Sequence, residues 1–407
     1  MSAHVNPAER AASDEHAYRH KEVDFSLVLG GPLYQFLLLT RLTRPTMELV
    51  PRRVIFAAVL TWLPLAILTA AAGTFLSQVN VPFLFDLDVH VKFLLTVPIL
   101  IGAELIVHRR VRALVEQFLE RKLIRTDEVA RFEALVTRAM RMRNSVVAEI
   151  VLIVLSFTLG SWIWRTYVTL NVATWYATPA KGDLSLTGAG WWYAYVSLPI
   201  ARFILLRWYY RFVIWYVFMG GVARLRLNLN PLHPDRAGGL GFVSGVAAVF
   251  APILFAQTTL LAGVIGNQIW HDGAKLPDFK FEIAGFVIVQ MLLVLLPLTF
   301  FVLQLAAAKL AALRDYGLFA SHYVNDFRQK WFEGQNSSTE NSLGSGDIQS
   351  LADLGNSFEV ARSTGLLPFG KGLVFRLAIV LCLPLLPLTL TMIPLEELVS
   401  RLAKLLL

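Results

Sequence analysis

Cysteine is all but missing: the 407 residues hold one, Cys382, inside an apolar run. It has no partner for an internal disulfide, and no thiol pair exists for a zinc or iron–sulfur site. Charge is scarce too, at 16% of residues against about 25% in soluble domains. With 56% hydrophobic residues and a mean hydropathy of +0.57, a soluble protein could not cover its core. Catalytic signatures are also lacking. There is no HExxH, C-x-x-C, GxSxG or Walker A spacing, and no spaced-aspartate pattern of a phosphatidyltransferase. Nothing nominates a reaction, a cofactor or a metal, so an enzyme is the less favoured class.

What remains is long apolar runs. About 20 apolar residues cross ~30 Å of hydrocarbon, and seven stretches qualify: Val54–Thr74, Val91–Val107, Val146–Trp164, Trp191–Arg211, Val246–Ile265, Ile283–Leu303 and Leu373–Leu390. The expected fold is all-α, a polytopic bundle of about seven transmembrane helices. The fourth run carries three arginines, and Pro384 and Pro387 leave open whether the last crosses fully or forms a hairpin. No internal repeat is visible, which speaks against the repeat-built transporter folds.

Lysine and arginine set the orientation. The segments 1–53, 108–145, 214–245 and 304–372 hold seven, ten, three and six, and the alternate segments hold six in all. The N-terminus and the basic segments are therefore expected on the cytoplasmic side. The net charge of +8 is then an orientation signal and not a nucleic-acid footprint. The first 24 residues are polar with mixed charge, so no cleavable signal peptide is expected.

Segment 1–53 divides into a polar tail and an apolar stretch, 25–42, broken by Gly30, Gly31 and Pro32, which suits the membrane interface. The bundle itself covers 54–395. Within it, 108–145 has the periodicity of a cytoplasmic helical hairpin, with Thr126 and Asp127 placed for an N-cap. Residues 304–371 read as a cytoplasmic helix and then a flexible linker rich in Ser, Asn and Gly, and 396–407 as an amphipathic tail. The general pattern, above all DIQSLADLGNSFEVARS (347–363) with the apolar tail after it, resembles a bacterial membrane protein. The resemblance implies the inner (plasma) membrane as location and carries no activity with it.

Polar groups inside apolar spans are costly and tend to be functional. Arg202 lies near mid-depth of the fourth run, and Gln257, Thr258, Thr259 and Gln290 fall at a similar depth in the fifth and sixth. Together they could line a path for an anion or other small solute. The competing reading is a satisfied hydrogen-bond cluster, with Glu104 and Glu149 neutralising Arg202, Arg207 and Arg211.

Residues 230–241, NPLHPDRAGGLG, form the least regular polar stretch. Asp235 suits the N-cap of a helix starting near Arg236, and Ala237, Gly241 and Gly245 would make a small-residue stripe for close packing or homo-oligomerisation. Alternatively, free amides at Gly238 and Gly239 beside Arg236 would hold a phosphate or headgroup, with His233 and Asp235 as acid or base. FDLDVH (85–90) aligns Asp86, Asp88 and His90 if extended, a weak divalent-metal pattern that His271 and Asp272 could join. Trp162, Trp164, Trp175, Trp191 and Trp192 read as an aromatic belt.

Three functions follow as expectations. The first is a transporter or channel for a small solute or anion, with the lipid bilayer as partner and no nucleic acid. The second is a signalling scaffold docking partners through the cytoplasmic helices, and the third a lipid-modifying enzyme at the cytoplasmic interface.

Overall fold

The computed structural model describes residues 25–42, 49–163, 173–180, 183–333 and 346–392. The N-terminal tail, Trp164, most of the 334–346 linker and the 396–407 tail lie outside the described residues.

The chain is all-α apart from one hairpin. Among the described residues ten helices carry the architecture: α1 Pro32–Leu39, α2 Val50–Ala71, α3 Leu87–Glu120, α4 Val129–Arg143, α5 Val146–Ile163, α6 Leu198–Val222, α7 Gly241–Asp272, α8 Leu276–Glu333, α9 Gly346–Ser363 and α10 Lys371–Met392. A two-stranded antiparallel sheet, β1 Ala177–Ala180 with β2 Asp183–Leu186, precedes the helical residues 188–197 that run straight into α6.

Among the described residues, five helices are long and apolar enough to cross a membrane: α2, α3, α7, α8 and α10. They are consistent with a membrane location and with contact to lipid. Two of the seven expected spans fall short by this measure. In α5 the apolar helix runs only over Val146–Thr158, and α6 carries Arg202, Arg207 and Arg211.

Helix α7 is the central element, with 61% of its apolar window buried against 22% for α2 and α10. It packs on α3 and α10, while α6 packs on α4 and α5. Within lipid, apolar contact between helices gains little over contact with acyl chains, so packing and interhelical hydrogen bonds hold the bundle. Such bonds recur here. Trp208 Nε1 donates to the Leu100 carbonyl at 3.2 Å, Tyr210 to Met142 at 2.7 Å and Ser197 to Thr61 at 2.7 Å. Gly221 lets the Leu135 side chain of α4 press against α6, where a Cβ would lie 2.5 Å from it.

Residues 25–28 are not a surface layer. Phe25, Leu27 and Val28 are buried in the main core, Phe25 between the rings of Trp215 and Phe218. Only α1, beyond Gly31, leaves that core, and it contains no fully buried residue. Helix α9 lies along the C-terminal part of α8, joined to it by Lys330–Asp347 at 2.6 Å.

The fifth span starts later than the sequence suggests. Asp235 caps no helix; α7 begins at Gly241 with a 3-10 turn. The reason is local. The Asp235 carboxylate folds the loop around itself, accepting from the backbone N–H groups of Ala237 (2.8 Å), Gly239 (3.1 Å) and Gly241 (2.8 Å). The turn needs positive φ at Arg236 (52°), Gly238 (64°) and Gly239 (96°), cheap for the glycines and strained for the arginine. Gly365 N–H bonds the Arg236 carbonyl at 2.8 Å, and Thr364 Oγ1 that of Pro231 at 2.8 Å, so the end of α9 pins the loop. Burial pushes the Asp235 carboxyl up, but the three amides and His233 outweigh it and hold it below the usual carboxylate range. Asp235 therefore stabilises the loop above its unfolded pKa, and that contribution is lost as pH falls through the depressed folded value. Asp235→Ala is expected to destabilise by about 1–3 kcal/mol, since three amides lose a charged acceptor. Hydrogen exchange at Gly239 and Gly241 reports it; unchanged protection of those amides would refute the role.

Candidate functional site

Four arginines and two glutamates lie among the apolar helices. Glu104, on α3 and 6% exposed, receives Arg53 of α2 at 2.5 Å and Arg211 of α6 at 2.6 Å, with Arg207 at 3.9 Å. Glu149, at the start of α5, accepts the Leu33 N–H at 2.8 Å, which ties the first turn of α1 to the bundle, and it lies within electrostatic reach of Arg207. Among the described residues three guanidiniums thus face two carboxylates, leaving one cation in excess. Arg207 is the loosely held one. Its ion pair is the longest of the three, and no hydrogen bond to it is formed among the described residues.

Beside this cluster is a cavity of about 430 Å³, enclosed by α1, α2, α3, α5 and α6. Arg53, Glu104 and Arg207 line it, among mostly apolar side chains. That volume lies within the roughly 300–1,000 Å³ of ligand pockets, whose pattern of apolar walls and few polar groups it shares.

The fourth arginine, Arg202, has no carboxylate partner among the described residues, and its buried Nη1 bonds nothing there. Tyr193 is within its electrostatic reach. Tyr193 belongs to a second polar cluster: its hydroxyl accepts from Lys92 Nζ at 3.2 Å, and Lys92 pairs with Asp88 at 2.6 Å. Lys92 and Tyr193 each sit in a π-helical turn, an irregularity that often marks functional positions.

Gln257 and Gln290 are both buried and hydrogen-bonded to each other, and Tyr209 of α6 donates to Gln257 Oε1 at 2.8 Å. Gln257 Nε2 and Gln290 Oε1 remain without partners among the described residues. Thr258 and Thr259 return their hydroxyls to Leu254 and Phe255 of their own helix. No hydrogen bond joins Arg202 to this group among the described residues.

The loop residues are brought together differently from their sequence expectation. His233 Nδ1 lies 3.0 Å from Asp235, and the Gly239 amide goes to Asp235. Gly241 packs within the chain, since a Cβ there would lie 2.9 Å from Asp235, and Gly245 has Leu114 at 3.9 Å.

FDLDVH is not extended. Asp86 caps the start of α3 and accepts from Trp175 Nε1 at 2.8 Å. Asp88 points to Lys92, while His90 bonds the Phe83 and Leu84 carbonyls through Nε2 and accepts from Trp62 through Nδ1. His271 bonds the Phe85 carbonyl. No group of three metal ligands exists among the described residues. Trp175 is fully buried against Phe83, Tyr176 and Tyr193, an aromatic core and not a belt, whereas Trp191 is exposed.

Arg53, Lys92 and Tyr209 are not among the residues the sequence pattern singles out. For Lys92 the signal was there, four residues after Asp88; for Arg53 it was hidden among flanking positive charges. Compared with known protein families, curated proteins and solved structures, the chain matches none of them.

Proposed function

We propose that this is a multi-pass inner-membrane protein of bacterial type, about seven helices with a cytoplasmic N-terminus, that binds and passes an anion. The observation that carries the reading is the cation excess at Glu104 beside a 430 Å³ cavity. Buried charge within a membrane is expensive, and an arginine held only at 3.9 Å keeps its fork of donors for a ligand. Arg207 is the anion-binding residue, with Arg53 opposite it. Arg202 and the unpartnered amide atoms of Gln257 and Gln290 supply the next polar positions for a solute moving through the bundle. The loop at His233 and Asp235 is read as packing, because Asp235 already takes the amides of Ala237, Gly239 and Gly241, which leaves the lipid-modifying reading with less support.

The test is flux. Liposomes carrying the wild type are expected to pass at least one of chloride, nitrate, phosphate, acetate or laurate above protein-free liposomes. Arg207→Gln should cut that flux tenfold or more, the equivalent of about 1.4 kcal/mol. Wild type and variant indistinguishable from empty liposomes for every anion would end the proposal.

A further inference from the structure

Resting on that anion-binding reading, we infer that the anion is the charged head of an amphiphile whose alkyl tail enters the cavity sideways from the bilayer. The cavity has a charged floor and a greasy mouth. Arg53, Glu104 and Arg207 are buried at one side. Phe36, Phe56, Phe157 and Tyr195, which also line it, are 57%, 47%, 44% and 45% exposed. Residues so exposed on helices of this composition face acyl chains, so the mouth opens towards lipid.

A small hydrated anion gains nothing from such walls. It would shed water against phenylalanine, at a cost only the floor repays. An amphiphile matches both parts: its tail replaces acyl contacts at little cost, and its head meets the uncompensated guanidinium. Ser156, the polar side chain between Ile153 and Phe157, has turned its hydroxyl back to the Ile153 carbonyl at 2.7 Å, leaving the wall apolar. Helix α1 supplies Leu33, Phe36 and Leu37 to the cavity and is tethered at its first turn through Glu149. The same carboxylate lies within reach of Arg207, so a second anion beside Arg207 would compete with Glu149 for it. Head binding is thereby coupled to the tether of the helix that roofs the tail.

The experiment uses the full chain in phosphatidylcholine nanodiscs, with empty nanodiscs subtracted. Laurate and dodecyl phosphate should bind saturably and weaken at least tenfold in Arg207→Gln, whereas acetate and inorganic phosphate should not bind. Ile200→Trp, which fills the cavity and leaves the floor intact, should also abolish laurate binding, and size-exclusion profiles check that both variants fold. Nanodiscs doped with phosphatidylglycerol assign the source. Displacement of laurate names a bilayer phospholipid, no displacement a free single-chain amphiphile, and either result supports the inference. Acetate or phosphate binding that depends on Arg207, with laurate no tighter, overturns the amphiphile and leaves the anion reading standing. If no probe binds in an Arg207-dependent way, both fall.

Discussion

Glu104→Gln is expected to destabilise the protein by about 3–5 kcal/mol, the range for removing one partner of a buried ion pair. Glu104 is the sole carboxylate bonded to Arg53 and Arg211 among the described residues, at 2.5 and 2.6 Å. Without its charge three guanidiniums repel one another with Glu149 alone to offset them, and in a medium of low dielectric that repulsion is poorly screened. Arg207→Gln should behave oppositely. It removes the loosest partner, at 3.9 Å, and the repulsion from Arg211, so stability should stay within about 1 kcal/mol of wild type or rise. Unfolding titrations in mixed micelles measure both. Such a contrast is what a ligand-binding arginine predicts, since binding groups are commonly kept at the expense of stability. Equal losses in both variants would make Arg207 a structural member of the network and remove the main support for anion binding.

Helix positions were legible because apolar runs of membrane length have few alternatives, and Glu104 was legible through depth alone, which placed it among the arginines of α6. Depth is one coordinate of three, however. Gln257 and Gln290 are expected at a similar depth and hydrogen-bond to each other. Arg202 shares the assumed level but not the contact. Its helix begins as early as Gly188 and runs with a π-helical turn to Val222, and Tyr209, which does reach Gln257, lies two turns or roughly 10 Å further along. In 85–90 three polar residues at alternate positions suggest an extended loop, whereas the spacing of four between Asp88 and Lys92 is the helical one. At 230–241 the Gly239 amide goes to Asp235, and an acceptor inside the same turn leaves no trace in residue spacing.

Asp88→Asn and Lys92→Met should each cost about 3–5 kcal/mol, since either removes one partner of a buried ion pair. The double substitution should recover much of the sum, because the two residues touch and their effects cannot add. Lys92 keeps Tyr193 at 3.2 Å as its remaining partner, and the Asp88 Oδ1 already lacks one among the described residues. Asp86, at the mouth of the same cluster, converts this arrangement into a pH dependence. Burial first, and then the negative charge of Asp88, raise its carboxyl to about 6, against the opposing Trp175 hydrogen bond and Lys92. A carboxyl whose folded pKa exceeds its unfolded value favours the folded state when protonated. Its contribution is complete below an unfolded pKa of about 3.9, and is lost as pH rises through about 6. Stability therefore falls between pH 4 and pH 7. Asp86→Asn keeps an acceptor for Trp175 without the charge, so its melting temperature should vary less over that interval and exceed that of the wild type at pH 7. In an Asp88→Asn background the second cause is gone, and the transition should move towards lower pH. Parallel melting curves for wild type and Asp86→Asn from pH 4 to 7 would show that Asp86 does not titrate there, and with it would go the picture of two carboxylates sharing one ammonium at the head of α3.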